Sequence, residues 1–253
     1  MNEYNTDRTP FYTTGSGQTT QPRRTGGPLT LNQYLTRVFG WMVAGLGATF
    51  ATAVVFQAAL SNRAFFNIIS SIPAFHMLLL VAEMLVVIKL DRNLTRMDTQ
   101  KATAMFFLYA VLNGLTFASI LYVYSLSDVV FAFLAALLYF GLMAAYGATT
   151  KRDLTGWGRV TGPALVTLLI VNLLGIFFDF GPLDLLICSA AIVLFLCITA
   201  RDIQRPTRYH SMWSGNTAMA EKGAIFGALQ LYLDFINLFL YILRIFARSR
   251  NND

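Results

Sequence analysis

Polar side chains form a stripe along the last apolar segment of the chain. Gln230, Asp234, Asn237 and Tyr241 follow one another at spacings of four, three and four residues, so a helix places them on one face. In lipid such a face turns toward other helices or a water-filled cavity, and an ionisable group at membrane depth marks a functional site by default. The stripe predicts a polar seam, with helix packing alone as the alternative. A carboxyl group exceeds what packing requires, because Asn or Ser would serve at lower cost.

A second acid lies at the end of the preceding apolar segment. Asp202 stands between Arg201 and Arg205, and one interpretation is an interfacial acid paired with a neighbouring arginine. The other interpretation follows from topology, because consecutive spans are antiparallel neighbours and their carboxyl groups can approach each other. Two close carboxylates in a poorly solvated site cannot both ionise cheaply, so they share one proton and titrate as a unit. Asp202 and Asp234 together therefore predict a pH-sensing pair.

Two further polar residues lie deep in apolar segments. Glu83 is midway along the second segment, and Asn113 lies well inside the third. A buried acid is costly in lipid, and an amide at this depth commonly forms hydrogen bonds across helices. We expect both residues to line the same polar seam as the stripe around Asp234.

Seven apolar segments supply the elements that must position these side chains. The chain is 56% hydrophobic and 13% charged, whereas a soluble domain is about 45–50% apolar and about 25% charged. Each segment is long enough to cross a bilayer as a helix, and continuous apolar runs argue against a membrane β-barrel. The segments cover residues 38–60, 72–90, 103–124, 128–149, 160–178, 182–200 and 224–246. The predicted fold is an all-α integral membrane bundle of seven transmembrane helices, with the C-terminal helix at the centre because its polar face must turn inward.

The chain divides into one membrane domain and two tails. Residues 1–29 are rich in Gly, Thr, Gln, Pro and Arg and predict a disordered polar tail. Residues 30–248 form the predicted seven-helix domain, and residues 249–253 form a short C-terminal tail.

Small residues recur every four positions on two of the predicted helices. The first helix carries Gly40, Ala44 and Ala48, and the fourth carries Gly141 and Ala145. Such spacing lets helix backbones approach closely, so we expect these residues at helix contacts.

The basic residues indicate topology rather than nucleic-acid binding. With a cytoplasmic N-terminus, 15 of the 19 Lys and Arg residues fall on the cytoplasmic side, as the positive-inside rule predicts. Arg244, Arg248 and Arg250 conflict with this pattern, because seven crossings put them on the outer side. A re-entrant last helix would return them to the cytoplasm, but we keep seven crossings.

Several segments together resemble one known family. The last helix, GALQLYLDFINLFLYILRIF from Gly227, carries its most specific motif, and TTKRDLT from Thr149 is the second. RVFGWMVAG, LYAVLNGLTFASI and the glutamate in LLLVAEMLVV follow in the expected order. Over residues 31–248 the chain resembles the Bax inhibitor-1 family, the transmembrane Bax-inhibitor-motif proteins, and most closely its bacterial branch.

The resemblance implies a pH-sensitive calcium leak channel in a bacterial inner membrane. Family members share a proton between two aspartates on the last two helices, which correspond to Asp202 and Asp234, and calcium would bind there only transiently. Here the sixth-helix motif reads Arg-Asp-Ile-Gln instead of Asp-Thr-Gln after Tyr. The positive charge of Arg201 favours the ionised form of Asp202 and so predicts opening at lower pH. Some relatives latch this aspartate with an arginine, for which Arg92 is the candidate.

Two other function classes use the same features. A proton-coupled transporter would use the same acids, and a scaffold or regulator of proteolysis and stress responses would bind other membrane proteins through its basic loops. An enzyme is not expected, because the sequence has no HExxH motif, only two histidines and no membrane-embedded serine motif. A retinal protein needs a lysine deep in the last helix, which has none. We expect the partners to be the lipid bilayer and Ca²⁺ or other cations. We expect neither a cofactor nor a nucleic-acid partner.

Overall fold

The structure is all-helical over the residues that it describes. It is a computed structural model and describes residues 30–71, 75–93, 96–175, 177–178, 180–213 and 217–251, so the predicted tail 1–29 lies outside it. No strand occurs among the described residues, which confirms the all-α class. The helices are α1 (Leu31–Leu60), α2 (Arg63–Ser70), α3 (Phe75–Asn93), α4 (Thr99–Val123), α5 (Leu126–Thr149), α6 (Gly158–Leu174), α7 (Leu183–Trp213) and α8 (Thr217–Asn251), with a 3₁₀ turn at Leu154–Trp157.

Six of the described helices are long and apolar enough to cross a membrane, where the sequence predicted seven. They are α1 and α4 to α8. The helix α3 covers much of the predicted second span but starts later and extends to Asn93. Its 19 residues include Glu83, Lys89, Asp91 and Arg92, so α3 lacks the long and nearly uncharged stretch that each of the six candidate spans contains. At the other end of the chain, α8 continues to Asn251, into the predicted C-terminal tail.

Side-chain caps determine where several helices begin. Thr30 and Gln33 form a capping box at the start of α1, in which each side chain accepts a hydrogen bond from the other residue's backbone N–H. The side chain of Ser125 accepts from the backbone of Asp128 at the start of α5. Asp153 does the same for Thr155 at the 3₁₀ turn. These caps satisfy donors that a helix start leaves unpaired.

The last helix, α8, is the most buried of the six candidate spans. Within its most apolar window 72% of the residues are buried, against 11–39% in the other five. It packs against α1, α4, α5 and α7. Protein side chains therefore surround most of α8, whereas the other candidate spans expose long apolar faces.

The helices α1 and α8 run in the same direction. Near the start of both, Arg37 Nη1 lies 3.2 Å from Glu221 Oε1. Further along both, the hydroxyls of Thr49 and Tyr232 lie 2.6 Å apart. Contacts that advance together along two helices make those helices parallel.

The remaining helices alternate with these two. The aromatic contacts between α5 and α8 advance in opposite senses, with Phe133 edge-on against Phe239 and Phe140 edge-on against Phe235. Asp184 at the start of α7 contacts Arg244 near the end of α8, so α7 is also antiparallel to α8. By the same kind of contact α4 and α6 run with α8, while α3 runs against α4.

The small-residue prediction chose the wrong glycines. Gly40 and Gly141 are exposed, with no other atom near the position of a missing Cβ. The close approaches occur at other glycines, where Gly45 meets Phe106, Gly114 meets Thr49 and Gly147 meets Ala200. Spacing shows that a small face exists, but it does not show which face a neighbouring helix covers.

Candidate functional site

Asp234 is a buried carboxyl group in the interior of the bundle. Its residue is 5% exposed, and Oδ2 has no hydrogen-bond partner among the described residues. The charged groups within electrostatic reach are Asp202, Arg201 and Arg205. The fold thus brings the two predicted aspartates into one electrostatic environment. Asp202 belongs to α7 and Asp234 to α8, so this environment includes both helices.

Asp202 is held by arginines of its own helix. It is 4% exposed, and Arg201 Nε donates to its Oδ1 at 2.8 Å. Arg205 Nε lies 3.6 Å from the same oxygen. Arg201 is fixed in turn by α6, because its Nη1 donates to Thr161 Oγ1 at 2.7 Å. These four residues, the Asp202 cluster, place a carboxylate and two cations next to Asp234.

The rest of the predicted stripe faces the same side of α8 as Asp234. Gln230 Oε1 is buried and has no hydrogen-bond partner among the described residues. Asn237 Nδ2 donates to the carbonyl of Leu233 in its own helix at 2.8 Å. Tyr241 OH accepts a hydrogen bond of 2.6 Å from Asn172 Nδ2 of α6. Two buried acceptors on this face of α8, Gln230 Oε1 and Asp234 Oδ2, thus lack a hydrogen-bond partner among the described residues.

Glu83 and Asn113 belong to a different network. Thr116 Oγ1 donates to Glu83 Oε1 at 2.7 Å, and Asn113 Nδ2 lies 3.4 Å from Glu83 Oε2 and 3.2 Å from Tyr109 OH. The Tyr109 ring packs edge-on against Tyr232 of α8 at 5.7 Å. These residues form the Glu83 network, which joins α3 and α4 to α8.

The Glu83 network and the Asp234 stripe lie on opposite sides of α8. Tyr232, which contacts the network, and Asp234 are two residues apart, which is about 200° around a helix. The sequence had placed Glu83 and Asn113 in one seam with the stripe. The structure instead separates them by the body of α8, because α3 and α4 pack on the face that carries Tyr232.

Arg92 does not reach Asp202 in this structure. It is exposed near the end of α3 and makes no ion pair with the described residues. Arg201 and Arg205 occupy the position beside Asp202 that the predicted latch would take.

Sequence reasoning missed the role of Gln204. The backbone N–H of Leu154 donates to Gln204 Oε1 at 3.0 Å, and Gln204 Nε2 donates to the carbonyl of Arg152 at 2.9 Å. Gln204 thereby binds the TTKRDLT loop to α7, half a turn beyond Asp202. The signal was present, since both segments carried the family motifs, but only the fold shows that they touch.

A second ionic group at the other end of α8 was also missed. Asp184 is 8% exposed and contacts Arg244 and Arg248. Arg244 Nε donates to Asp184 Oδ2 at 3.0 Å while its Nη2 contacts Oδ1, and Arg248 Nη1 donates to Oδ2 at 3.3 Å. Asp184, Arg244 and Arg248 are called the Asp184 cluster below. A cavity of about 120 Å³ adjoins it, lined in part by Asn172, Gly175 and Phe180.

The described residues contain no ready-made metal centre. No group of three or more His, Cys, Asp or Glu side chains among them is placed to hold a metal ion. The acids Asp202, Asp234 and Glu83 are dispersed over two faces of α8, so the site suits ionic interactions and proton exchange better than tight coordination.

Comparison with known proteins identifies relatives along nearly the whole chain. The model of the family described as inhibitor of apoptosis-promoting Bax1 matches residues 31–252. The inner membrane protein YbhL of Escherichia coli is 34% identical over 221 residues, covering 87% of this chain and 93% of the relative. An uncharacterised protein of Borreliella burgdorferi is 35% identical over 225 residues, covering 88% and 95%. An uncharacterised membrane protein of Streptococcus pyogenes is 29% identical over 220 residues, covering 87% and 94%.

Proposed function

Because the chain belongs to the Bax inhibitor-1 family of membrane proteins, we propose that it is a pH-gated calcium leak channel in which Asp202 and Asp234 sense the proton. With one proton on the pair, α7 and α8 stay together. When both carboxyl groups ionise, they repel each other and open a polar path past Gln230 and Asn237. Calcium suits such a path because it prefers carboxylate and carbonyl oxygens.

The observation that carries this proposal is the buried carboxyl oxygen Oδ2 of Asp234, which has no hydrogen-bond partner among the described residues. A buried acceptor without a donor costs free energy that a purely structural residue would avoid. Its charged neighbours are the members of the Asp202 cluster, so a proton at Asp234 changes the force between α7 and α8. The buried acceptor of Gln230, one turn away, extends the polar path.

The proposed channel is a seven-span bundle around α8 with a cytoplasmic N-terminus, in the inner membrane like YbhL. The directions of the helices support this topology. Since α1 and α4 both run with α8, one crossing must lie between them, and α3 is the helix available. The three outer-side arginines that conflicted with the positive-inside rule include Arg244 and Arg248, whose pairing with Asp184 accounts for their position.

Calcium flux into vesicles that contain the purified protein tests the proposal. The wild type should leak more as pH rises, because ionisation of the pair opens the path. The variant Asp234→Asn cannot ionise at this position, so its flux should be low and independent of pH. Glu221→Gln, which removes an exposed acid on the same helix, is the matched control and should behave as the wild type. A pH response that persists in Asp234→Asn would remove the gating model.

The same vesicles separate the two alternatives. A proton-coupled transporter would show saturable solute flux that acidifies the vesicle lumen. A scaffold would show no flux of its own, and its membrane-protein partners would co-purify with a variant that lacks both Asp202 and Asp234.

A further inference from the structure

We propose that the Asp184 cluster is a latch across the α7–α8 seam, and that its release opens this end of the seam to water. The cluster lies at the end of α8 remote from Asp202, and the proposed pH sensor does not include it. Release of the latch changes the access of water to the seam and is measured without ion flux. The latch can therefore be tested independently of the proposed channel function.

The geometry of the cluster suits a fastening between two helices. Arg244 binds Asp184 through two nitrogens, the bidentate arrangement that fixes a guanidinium against a carboxylate. Arg248 lies one turn further along α8 and reaches the same carboxylate. Asp184 is at the first turn of α7 and is almost wholly buried. Both arginines therefore draw the end of α8 onto the start of α7.

These contacts are also the polar fastening of that seam. Apart from the proton that the proposed function places between Asp202 and Asp234, no other hydrogen bond or ion pair joins α7 to α8 among the side chains that the structure describes. Elsewhere the two helices meet through apolar and aromatic contacts, such as Phe195 stacked on Tyr241 at 6.0 Å. Such contacts slide or separate more readily than a bidentate ion pair, so the latch decides whether this end stays closed.

A polar space already lies behind the latch. The cavity of about 120 Å³ is lined by Asp184 and Arg244 on one side and by Asn172 on another. A polar space of this size can hold ordered water. Asn172 donates to Tyr241, whose ring stacks on Phe195 further along the seam. Opening of the latch therefore widens a polar space that already lies beside the seam.

The chain carries its own reporter of this opening. Cys188 lies one turn beyond Asp184 on α7, is 1% exposed and is within electrostatic reach of all three members of the cluster. Cys197 lies deeper along the same helix and is half-buried. Release of the latch should expose Cys188 to a water-soluble reagent while it leaves Cys197 as it was.

The test is the rate at which a charged methanethiosulfonate reagent modifies Cys188 in full-length protein in vesicles. It uses a Cys197→Ala background. The double variant Arg244→Gln with Arg248→Gln removes both cations, and we expect modification to accelerate by about tenfold or more, because protected groups react in proportion to local opening. The matched control, Arg37→Gln, breaks the ion pair at the opposite end of α8 and should leave the rate unchanged.

A charge swap distinguishes loss of the ion pair from general misfolding of the variants. Asp184→Arg combined with Arg244→Asp keeps an ion pair across the seam and should return Cys188 to its slow rate. In the reciprocal Cys188→Ala background, Cys197 should react at the wild-type rate in every variant. The latch is overturned if Cys188 stays as slow in the double arginine variant as in the wild type, or if Cys197 accelerates with it, which would mean general loosening of the bundle.

Discussion

The two ends of the α7–α8 seam each hold an aspartate of α7 between two arginines, but the arginines come from different places. At Asp202 they are Arg201 and Arg205, which belong to the same helix as the acid. At Asp184 they are Arg244 and Arg248, which belong to α8. A pair within one helix neutralises charge without joining α7 to α8, whereas a pair between the two helices also fastens them to each other. The same combination of one aspartate and two arginines therefore links α7 to α8 at the Asp184 end but not at the Asp202 end.

The Asp202 end is held by a different helix. Gly147 of α5 lies so close to Ala200 of α7 that a side chain at this position would meet the Ala200 backbone. At this end α7 is thus fixed to α5, and no described hydrogen bond or ion pair joins Asp202 to α8. In the proposed mechanism the link between α7 and α8 at this end is therefore the proton shared by Asp202 and Asp234, which is lost when both carboxyl groups ionise.

The largest expected effect tests this fixation of α7 by α5. Gly147→Val forces a branched side chain against the Ala200 backbone, which cannot yield as a flexible side chain would. We expect the folded state to lose about 1–3 kcal/mol, seen as a lower apparent melting temperature in detergent. Gly141→Val on the same helix meets open space and should melt as the wild type. Equal melting of the two variants would show that α5 does not hold α7 here.

An intermediate effect separates the two arginine arrangements. Arg201→Gln removes a cation that lies beside both members of the proposed aspartate pair, so the doubly ionised pair becomes less favourable and the proposed leak should open at a higher pH. We expect a shift of about one pH unit in the midpoint of calcium flux. Arg205→Gln should shift it less, because Arg205 is more distant and more exposed.

The same two variants sharpen the contrast with the Asp184 cluster. Neither should change the reactivity of Cys188, since neither touches the fastening between α7 and α8. If Arg201→Gln released Cys188 as strongly as loss of Arg244 and Arg248, the two ends would not differ as described.

The smallest expected effect concerns Arg92, the latch candidate from the family resemblance. Its side chain is exposed and makes no ion pair with the described residues, so Arg92→Gln should change stability by no more than about 0.5 kcal/mol. The pH midpoint of flux should also stay that of the wild type. A midpoint shift as large as that of Arg201→Gln would mean that Arg92 approaches Asp202 in another state of the protein.

Properties that belong to a single helix could be predicted from the sequence. The apolar segments, the all-α class and the polar stripe around Asp234 follow from composition and helical periodicity. The residues of the stripe share one face of α8 regardless of which helices pack around it. The end of α3 was not predicted correctly in this way. The helix continues past the predicted end at residue 90 to Asn93, and so it includes the charged residues Asp91 and Arg92.

Properties that belong to pairs of helices could not be predicted in the same way. Glu83 is buried, but its network packs on the face of α8 that carries Tyr232 and not on the face that carries Asp234. Gly40 looked like a packing residue, yet Gly45 makes the contact. Helical periodicity shows which face of a helix is polar, apolar or small. It does not show which neighbouring helix covers that face.

One interhelical pair did leave a signal in the sequence. Asp184 begins one apolar segment, and Arg244 and Arg248 end the next. In two antiparallel spans those positions lie at the same membrane surface. In the sequence, Arg244 and Arg248 had appeared only as part of an exception to the positive-inside rule. The acid at the facing end of the neighbouring span was the clue to the role of these two arginines.

The burial of α8 also has a consequence for how the protein is made. The helix at the core is the last to leave the ribosome, so the six helices that precede it in the proposed bundle enter the membrane before the element around which they pack. Until α8 arrives, the surfaces of α1, α4, α5 and α7 that will enclose it face lipid or one another. When α8 enters, its polar stripe passes directly from the translocation machinery into contact with the helices that surround it. Asp234 is then never exposed to the lipid hydrocarbon without protein neighbours.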